Sequence, residues 1–279
     1  MERFRGFQKV DVTTAYCLLN PKNAFKLTHE LNTGRKRKDW ISIELYPIRG
    51  LTSHHVNEWQ KEYPNTHVNR VHLPFSYNSQ ELLHRAFLGE RENGITQQAY
   101  QLMWLAIFGT AVNKNAIMLA KDLHAGITVH PDVIEGFRRN RKLNLFKDIP
   151  VYVENERPFK HPILDTSIIS DPLTIIENLP RWHAQGLLWG VDHCISINTN
   201  LLDFLYHPDI REYTYAIHIA GPHHGIISGQ QSIADFLEES QKVTFAHSVG
   251  VALDIGPGIS HASMKENIQK TWELIGRNS

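Results

Sequence analysis

The run WISIELY at 40–46 is short and β-branched, and it carries a carboxylate, Glu44, near its C-terminal end. The same design recurs along the chain. VNRVHLPF at 68–75 holds His72, GITVHP at 126–131 holds His130, and IPVYVEN at 149–155 holds Glu154. LLWGVD at 187–192 closes on Asp192, YAIHIAG at 215–221 holds His218, and VALDIG at 251–256 holds Asp254. A vaguer run, KVDVTTAYC at 9–17, precedes them all. Such brief runs suit parallel strands buried on both faces. Helical patterns lie between them, roughly at 21–31, 53–62, 171–184, 232–240 and 261–275. Asp171-Pro172 reads as an N-cap followed by proline at the first helical position, and a weaker start signal lies at 260–265.

Eight strands alternating with helices over ~250 residues predict an α/β fold, a (β/α)8 TIM barrel. The alternative is an open doubly wound sheet, which would want a glycine-rich phosphate turn. The chain contains neither G-x-G-x-x-G nor a Walker sequence. A single domain over 1–279 is expected, with an insertion after the third strand. That insertion, around 76–125, contains the turn-like GERENG at 89–94 and an apolar stretch, QLMWLAIFGTAV, at 101–112. A core-packing helix is expected for the second, and a lid or a plain surface insertion for the residues before it.

The 279 residues are 42% hydrophobic, which excludes a disordered chain. The 29 basic and 29 acidic side chains balance, which argues against nucleic-acid binding by bulk charge but leaves local basic runs open. Two such runs exist, GRKRK at 34–38 and RRNRK at 138–142. Cys17 and Cys194 cannot build a disulfide framework. The opening MERFRGFQKV lacks the apolar core of a signal peptide, and no run of ~18 apolar residues is present. A cytoplasmic protein without membrane association is the expectation. Histidine is abundant, at 17 residues, and it is the commonest metal ligand.

The strand ends decide the functional reading. A barrel gathers its strand C-termini into one ring, so seven side chains far apart in sequence would converge there. A buried cluster of three imidazoles and four carboxylates needs compensation, which divalent cations supply. This donor set suits Zn, Mn, Fe or Co better than Mg or Ca, with one or two ions. Glu44 is open to a second role, holding a ligand histidine or a substrate hydroxyl.

The motifs H-x-P at 72–74, V-H-P at 129–131, V-E-N at 153–155, V-D at 191–192 and I-H-I at 217–219 resemble the xylose-isomerase-like TIM-barrel superfamily. That group includes sugar and sugar-phosphate isomerases and epimerases, and endonuclease IV. The resemblance spans about 40–256. It implies one metal site from Glu154, Asp192, His218 and Asp254, and a second from Glu154, His72 and His130. Three departures stand out. Asp254 replaces the usual Glu, position 195 is Ile where the endonucleases carry His, and GPHHG at 221–225 stands where they carry D-x-H. A further resemblance covers only GLLWGVDHCISIN and EYTYAIHIAGPHHG, which are similar to strands of the multinuclear iron-dependent oxidases.

Three functional readings follow. The first is a sugar isomerase or epimerase, with Glu154 and Asp254 as acid/base pair and Arg157 holding an enediolate oxygen or phosphate. His193, His223 and His224 then join Glu44 in contacting a small sugar-like substrate. The second is metal-assisted phosphodiester hydrolysis on abasic DNA, served by the basic runs. The third is a non-catalytic barrel. A homodimer is compatible with each.

Overall fold

The computed structural model describes residues 4–17, 20–73, 112–139, 141–155, 171–192, 201–220, 233–254 and 260–276, with Asp192 and Asp254 described as backbone. Eight parallel strands close into a barrel: β1 (Lys9–Thr13), β2 (Ser42–Leu45), β3 (Val68–His72), β4 (Gly126–Val129), β5 (Val151–Glu154), β6 (Leu187–Asp192), β7 (Thr214–Ala220) and β8 (Gly250–Asp254). Each pairs with its sequence neighbour, and β8 returns to β1 through Val251↔Val10 and Leu253↔Val12. The eight predicted runs therefore supply the eight staves. The open-sheet alternative fails because no stave is left with an unpaired edge. A two-residue antiparallel pair, Phe4–Arg5 with Thr244–Phe245, lies outside the barrel.

The described helices are α1 (Lys22–Asn32), α2 (Ser53–Glu62), α3 (Val112–Asp122), α4 (Pro131–Arg139), α5 (Pro172–Ala184), α6 (Leu201–Tyr206), α7 (Pro208–Tyr213), α8 (Ile233–Ser240) and α9 (His261–Gly276). Asp171 does cap α5: its carboxylate accepts from the Thr174 amide at 2.8 Å and the Thr174 hydroxyl at 2.7 Å, with Pro172 in the first turn. The segment at 74–111, with most of the expected insertion, lies outside the described residues. No described helix is long and apolar enough to cross a membrane.

One expectation needs correction. The strands are not apolar on both faces. Alternate residues point outward and pack on the helices: Val10 and Val12, Ile43 and Leu45, Ile127 and Val129, Ile217 and Ile219, Val251 and Leu253. They split into two apolar clusters, one around β1 and β6–β8, the other around β2–β5. The residues between them are polar or small: Asp11, Thr13, Glu44, Arg70, His72, Thr128 and Glu154 on one side, Ala216, His218 and Ala252 on the other, all buried. The period of two arises because successive side chains leave a strand on opposite faces. The helix side is thus driven by apolar burial, while the lumen is an ionic core.

Candidate metal centre

The floor of the lumen is the simpler end. Arg70 is 2% exposed, and its Nη2 donates to Asp11 at 2.7 Å, with Glu44 Oε2 at 3.2 Å. The Asn69 amide also donates to Asp11, at 3.1 Å. The guanidinium lies over the Tyr152 ring, 5.3 Å from its centroid. Tyr152 in turn needs Gly126, where a Cβ would stand 2.8 Å from the ring. A buried guanidinium between two carboxylates keeps its charge: burial opposes it, but Glu44 and Asp11 outweigh burial and raise its pKa.

Above this floor the strand C-termini bring together Glu44, His72, His130, Glu154 and His218, each 3% exposed or less. His72 ends β3 and shares its inward face with Arg70. Its Nδ1 donates to the Leu73 carbonyl at 2.8 Å, so Nε2 turns to Glu154 Oε2 at 3.2 Å. Tyr46 stacks on the His72 ring, with centroids 4.5 Å apart and planes 11° from parallel. His218 is wired in the opposite sense. Its Nε2 faces Glu44 Oε2 at 2.8 Å and its Nδ1 faces Glu154 Oε1 at 2.5 Å. Glu44 receives the Thr128 hydroxyl on its other oxygen at 2.5 Å. The His130 ring lies 5.5 Å from that of His72.

The electrostatics follow from this wiring. Burial pushes the Glu154 carboxyl up, but the His218 and His72 imidazoles facing it outweigh burial and hold it well below the usual carboxylate range. Burial likewise opposes ionisation of Glu44, and Arg70 and His218 override it. Burial lowers His218, whereas Glu154 and Glu44 raise it well above its ordinary value. His72 moves up for the same reason, chiefly through Glu154. The imidazoles and carboxylates of the cluster thus favour each other's charged forms.

Among the described residues, two groups of donors could hold a metal ion: Glu44, His72 and His218, and His72, His130 and Glu154, with ligand atoms within 4.8 Å of one another in each. The donors fit a borderline divalent cation by type. Glu154 fits by state as well. Despite the approach of His218 Nδ1, its Oε1 is buried with no aligned hydrogen-bond partner. A buried carboxylate faced only by imidazoles, one of them poorly aligned, is a donor set that a bound cation would satisfy.

The second triad that the motifs imply, His72, His130 and Glu154, is therefore drawn together. The first is drawn together in part. Glu154 and His218 meet, and register pairs Asp192 with His218 and Asp254 with Ala220 at the same rim. Glu44 sits with His218 and not with solvent. Arg157, His193, His223 and His224 lie outside the described residues. Sequence reasoning missed Arg70, Asp11, Thr128 and Tyr46. The signal was there: Arg70 and His72 stand two apart in NRVH, as do Asp11 and Thr13 in KVDVT, so each pair shares a face.

Neither comparison by sequence, with protein-family models or with curated proteins, finds a match. Solved structures do match. D-allulose 3-epimerase from Methylomonas sp., solved in complex with D-allulose, aligns over 99% of both chains at 11% identity with a TM-score of 0.57. A D-tagatose 3-epimerase-like protein covers 97% of this chain and 99% of its own, at 15% identity and a TM-score of 0.54. A xylose isomerase domain protein from Planctomyces limnophilus covers 98% and 100%, at 12% and 0.54. The chain has the xylose-isomerase-like TIM-barrel fold.

Proposed function

We propose that this protein is a divalent-cation-dependent isomerase or epimerase acting on a small sugar or sugar phosphate. The observation that carries the reading is Glu154, a buried carboxylate at the barrel rim whose two oxygens face, among the described residues, only imidazole nitrogens, His218 Nδ1 at 2.5 Å and His72 Nε2 at 3.2 Å. Support also comes from the fold, which the D-allulose and D-tagatose 3-epimerase-type structures share.

Glu154, His72, His130 and His218 would hold the cation, with Asp192 and Asp254 completing the shell from β6 and β8. When bound, the cation supplies a Lewis acid that polarises a carbonyl and grips neighbouring oxygens of a hydroxy-ketone. Glu154 stays ionised at neutral pH and takes the proton from the carbon beside that carbonyl. Asp254, on a strand three places away round the barrel, returns a proton to the opposite face or the neighbouring carbon. Arg157, His193, His223 and His224 follow strand ends on the same rim and serve as substrate contacts.

The phosphodiesterase reading loses support from the position of the basic runs. GRKRK lies between α1 and β2, and RRNRK begins in the last turn of α4. In a βα barrel both places are at the N-terminal face, opposite the site. Arg35 and Arg37 there lie over Trp272 and Trp40, at 4.5 and 5.9 Å.

The test is solvent-proton exchange. Manganese- or cobalt-loaded protein incubated with D-allulose, D-tagatose or D-fructose in deuterated water should place deuterium on the carbon beside the carbonyl. Glu154→Gln should abolish it while remaining folded. Undiminished exchange in Glu154→Gln would remove Glu154 as the base.

A further inference from the structure

The two candidate donor groups share His72, so a single ion has two places to settle, beside Glu44 or beside Glu154. The two carboxylates are alike in chemistry and burial. They differ in what already occupies their oxygens. Glu44 Oε1 accepts from Thr128, and Oε2 accepts from His218 Nε2 with the Arg70 guanidinium at 3.2 Å. Glu154 meets only imidazole nitrogens, His218 Nδ1 at 2.5 Å from Oε1 and His72 Nε2 at 3.2 Å from Oε2, with neither a hydroxyl nor a guanidinium on it among the described residues.

We propose that Arg70, braced by Asp11, is a positioning residue: it reserves Glu44 as the anchor of His218, so that His218 presents Nδ1 to a cation held at Glu154. This rests on the cation-site reading above and adds to it a division of labour between the two carboxylates. The guanidinium is a fixed positive charge beside Glu44 Oε2, and it opposes a dication at that oxygen. Asp11 accepts from Arg70 Nη2 at 2.7 Å and Glu44 Oε2 lies 3.2 Å from the same nitrogen, which holds the arginine head in the lumen. Arg70 and His72 leave β3 on the same face, so one strand delivers both the brace and a ligand. A carboxylate that accepts from the far nitrogen of a ligand histidine fixes its tautomer and ring orientation. His72 has its own such anchor, the Leu73 carbonyl, and so presents the other nitrogen, Nε2. The rim thus offers Nε2 from one histidine and Nδ1 from another, both aimed at Glu154.

The test compares wild type with the charge-neutral pair Asp11→Asn/Arg70→Gln and with Thr128→Val. Zinc affinity is read by competition with a chromophoric chelator, and the His218 ring nitrogens by 15N shifts in the zinc-loaded protein. Wild type should show zinc on Nδ1 and a proton on Nε2. The paired variant should bind zinc about 10–100-fold more weakly and lose the single His218 tautomer. Thr128→Val leaves the ion pairs whole and should lose about tenfold, which keeps the test available if the paired variant does not fold. Unchanged affinity with an unchanged His218 tautomer in these variants overturns the proposal alone. Zinc on Nε2 of His218 in the wild type does the same. A wild type that takes up no divalent cation overturns the cation-site reading and this proposal with it.

Discussion

The floor and the rim of the lumen are both buried and both ionic, yet they are finished differently. At the floor, Arg70 meets Asp11 and Glu44, Asn69 adds a donor, and the charge is matched by covalently attached groups. At the rim, Glu154 faces imidazoles whose charge depends on protons, and the contact of one of its oxygens with His218 Nδ1 is not an aligned hydrogen bond. Charges matched by fixed groups give a barrel its single arrangement, even though the Arg70 Nε at the floor has no hydrogen-bond partner among the described residues. Carboxylates faced only by titratable imidazoles mark the place where something else is expected to bind. The contrast separates the structural use of buried charge from the functional use within one lumen.

The comparison can be broken first at the rim. Glu154→Gln removes the carboxylate but keeps its volume, and it should abolish both cation uptake and turnover. Metal analysis and the exchange assay check this. Breaking the floor should act on stability instead. Arg70→Met leaves the buried Asp11 without its counter-charge and Glu44 with His218 alone, and should cost about 3–5 kcal/mol in urea unfolding of the cation-free protein. A floor variant of unchanged stability would show that the brace is not structural.

The rim should respond to pH through its imidazoles. Both imidazoles facing Glu154 are raised, so their contact with it stabilises the cation-free fold below the unfolded imidazole value of about 6.5. That contribution is lost as the pH rises through the folded values. Cation binding displaces the same protons. Affinity should therefore climb with pH, by up to about tenfold per unit for each proton released. Calorimetry in buffers of different ionisation enthalpy counts those protons, and a pH-independent affinity would contradict the wiring. The smallest expected effect lies far from either region. Asp171→Ala should cost about 1 kcal/mol through the lost α5 cap, with cation affinity unchanged.

The strands were legible because most of their helix-facing residues are Val, Ile or Leu at every second place, as in β1, β2, β4 and β8. The ring of polar strand ends was legible for the same reason, since Glu44, His72, Glu154 and His218 interrupt runs that are otherwise apolar. KVDVT was hard to read because Asp11 and Thr13 face the lumen and break its apolar character. The floor was legible only as shared faces, Arg70 with His72 and Asp11 with Thr13, and not as partners. An arginine two residues before a histidine in a strand looks like a surface residue until closure of the barrel brings Asp11 and Glu44 beside it. Partnership across the lumen depends on the registers of β1, β2 and β3, including the shift between Ile43 and Glu44, and no local pattern encodes that.

The account is tested most directly by anomalous X-ray scattering from crystals grown with manganese or zinc, collected on both sides of the metal's absorption edge. It predicts a peak within ligand distance of Glu154 and of His72 Nε2 or His218 Nδ1, and none between Glu44 and Arg70. A rim without a peak, or a peak on Glu44 with Glu154 turned away, would contradict it.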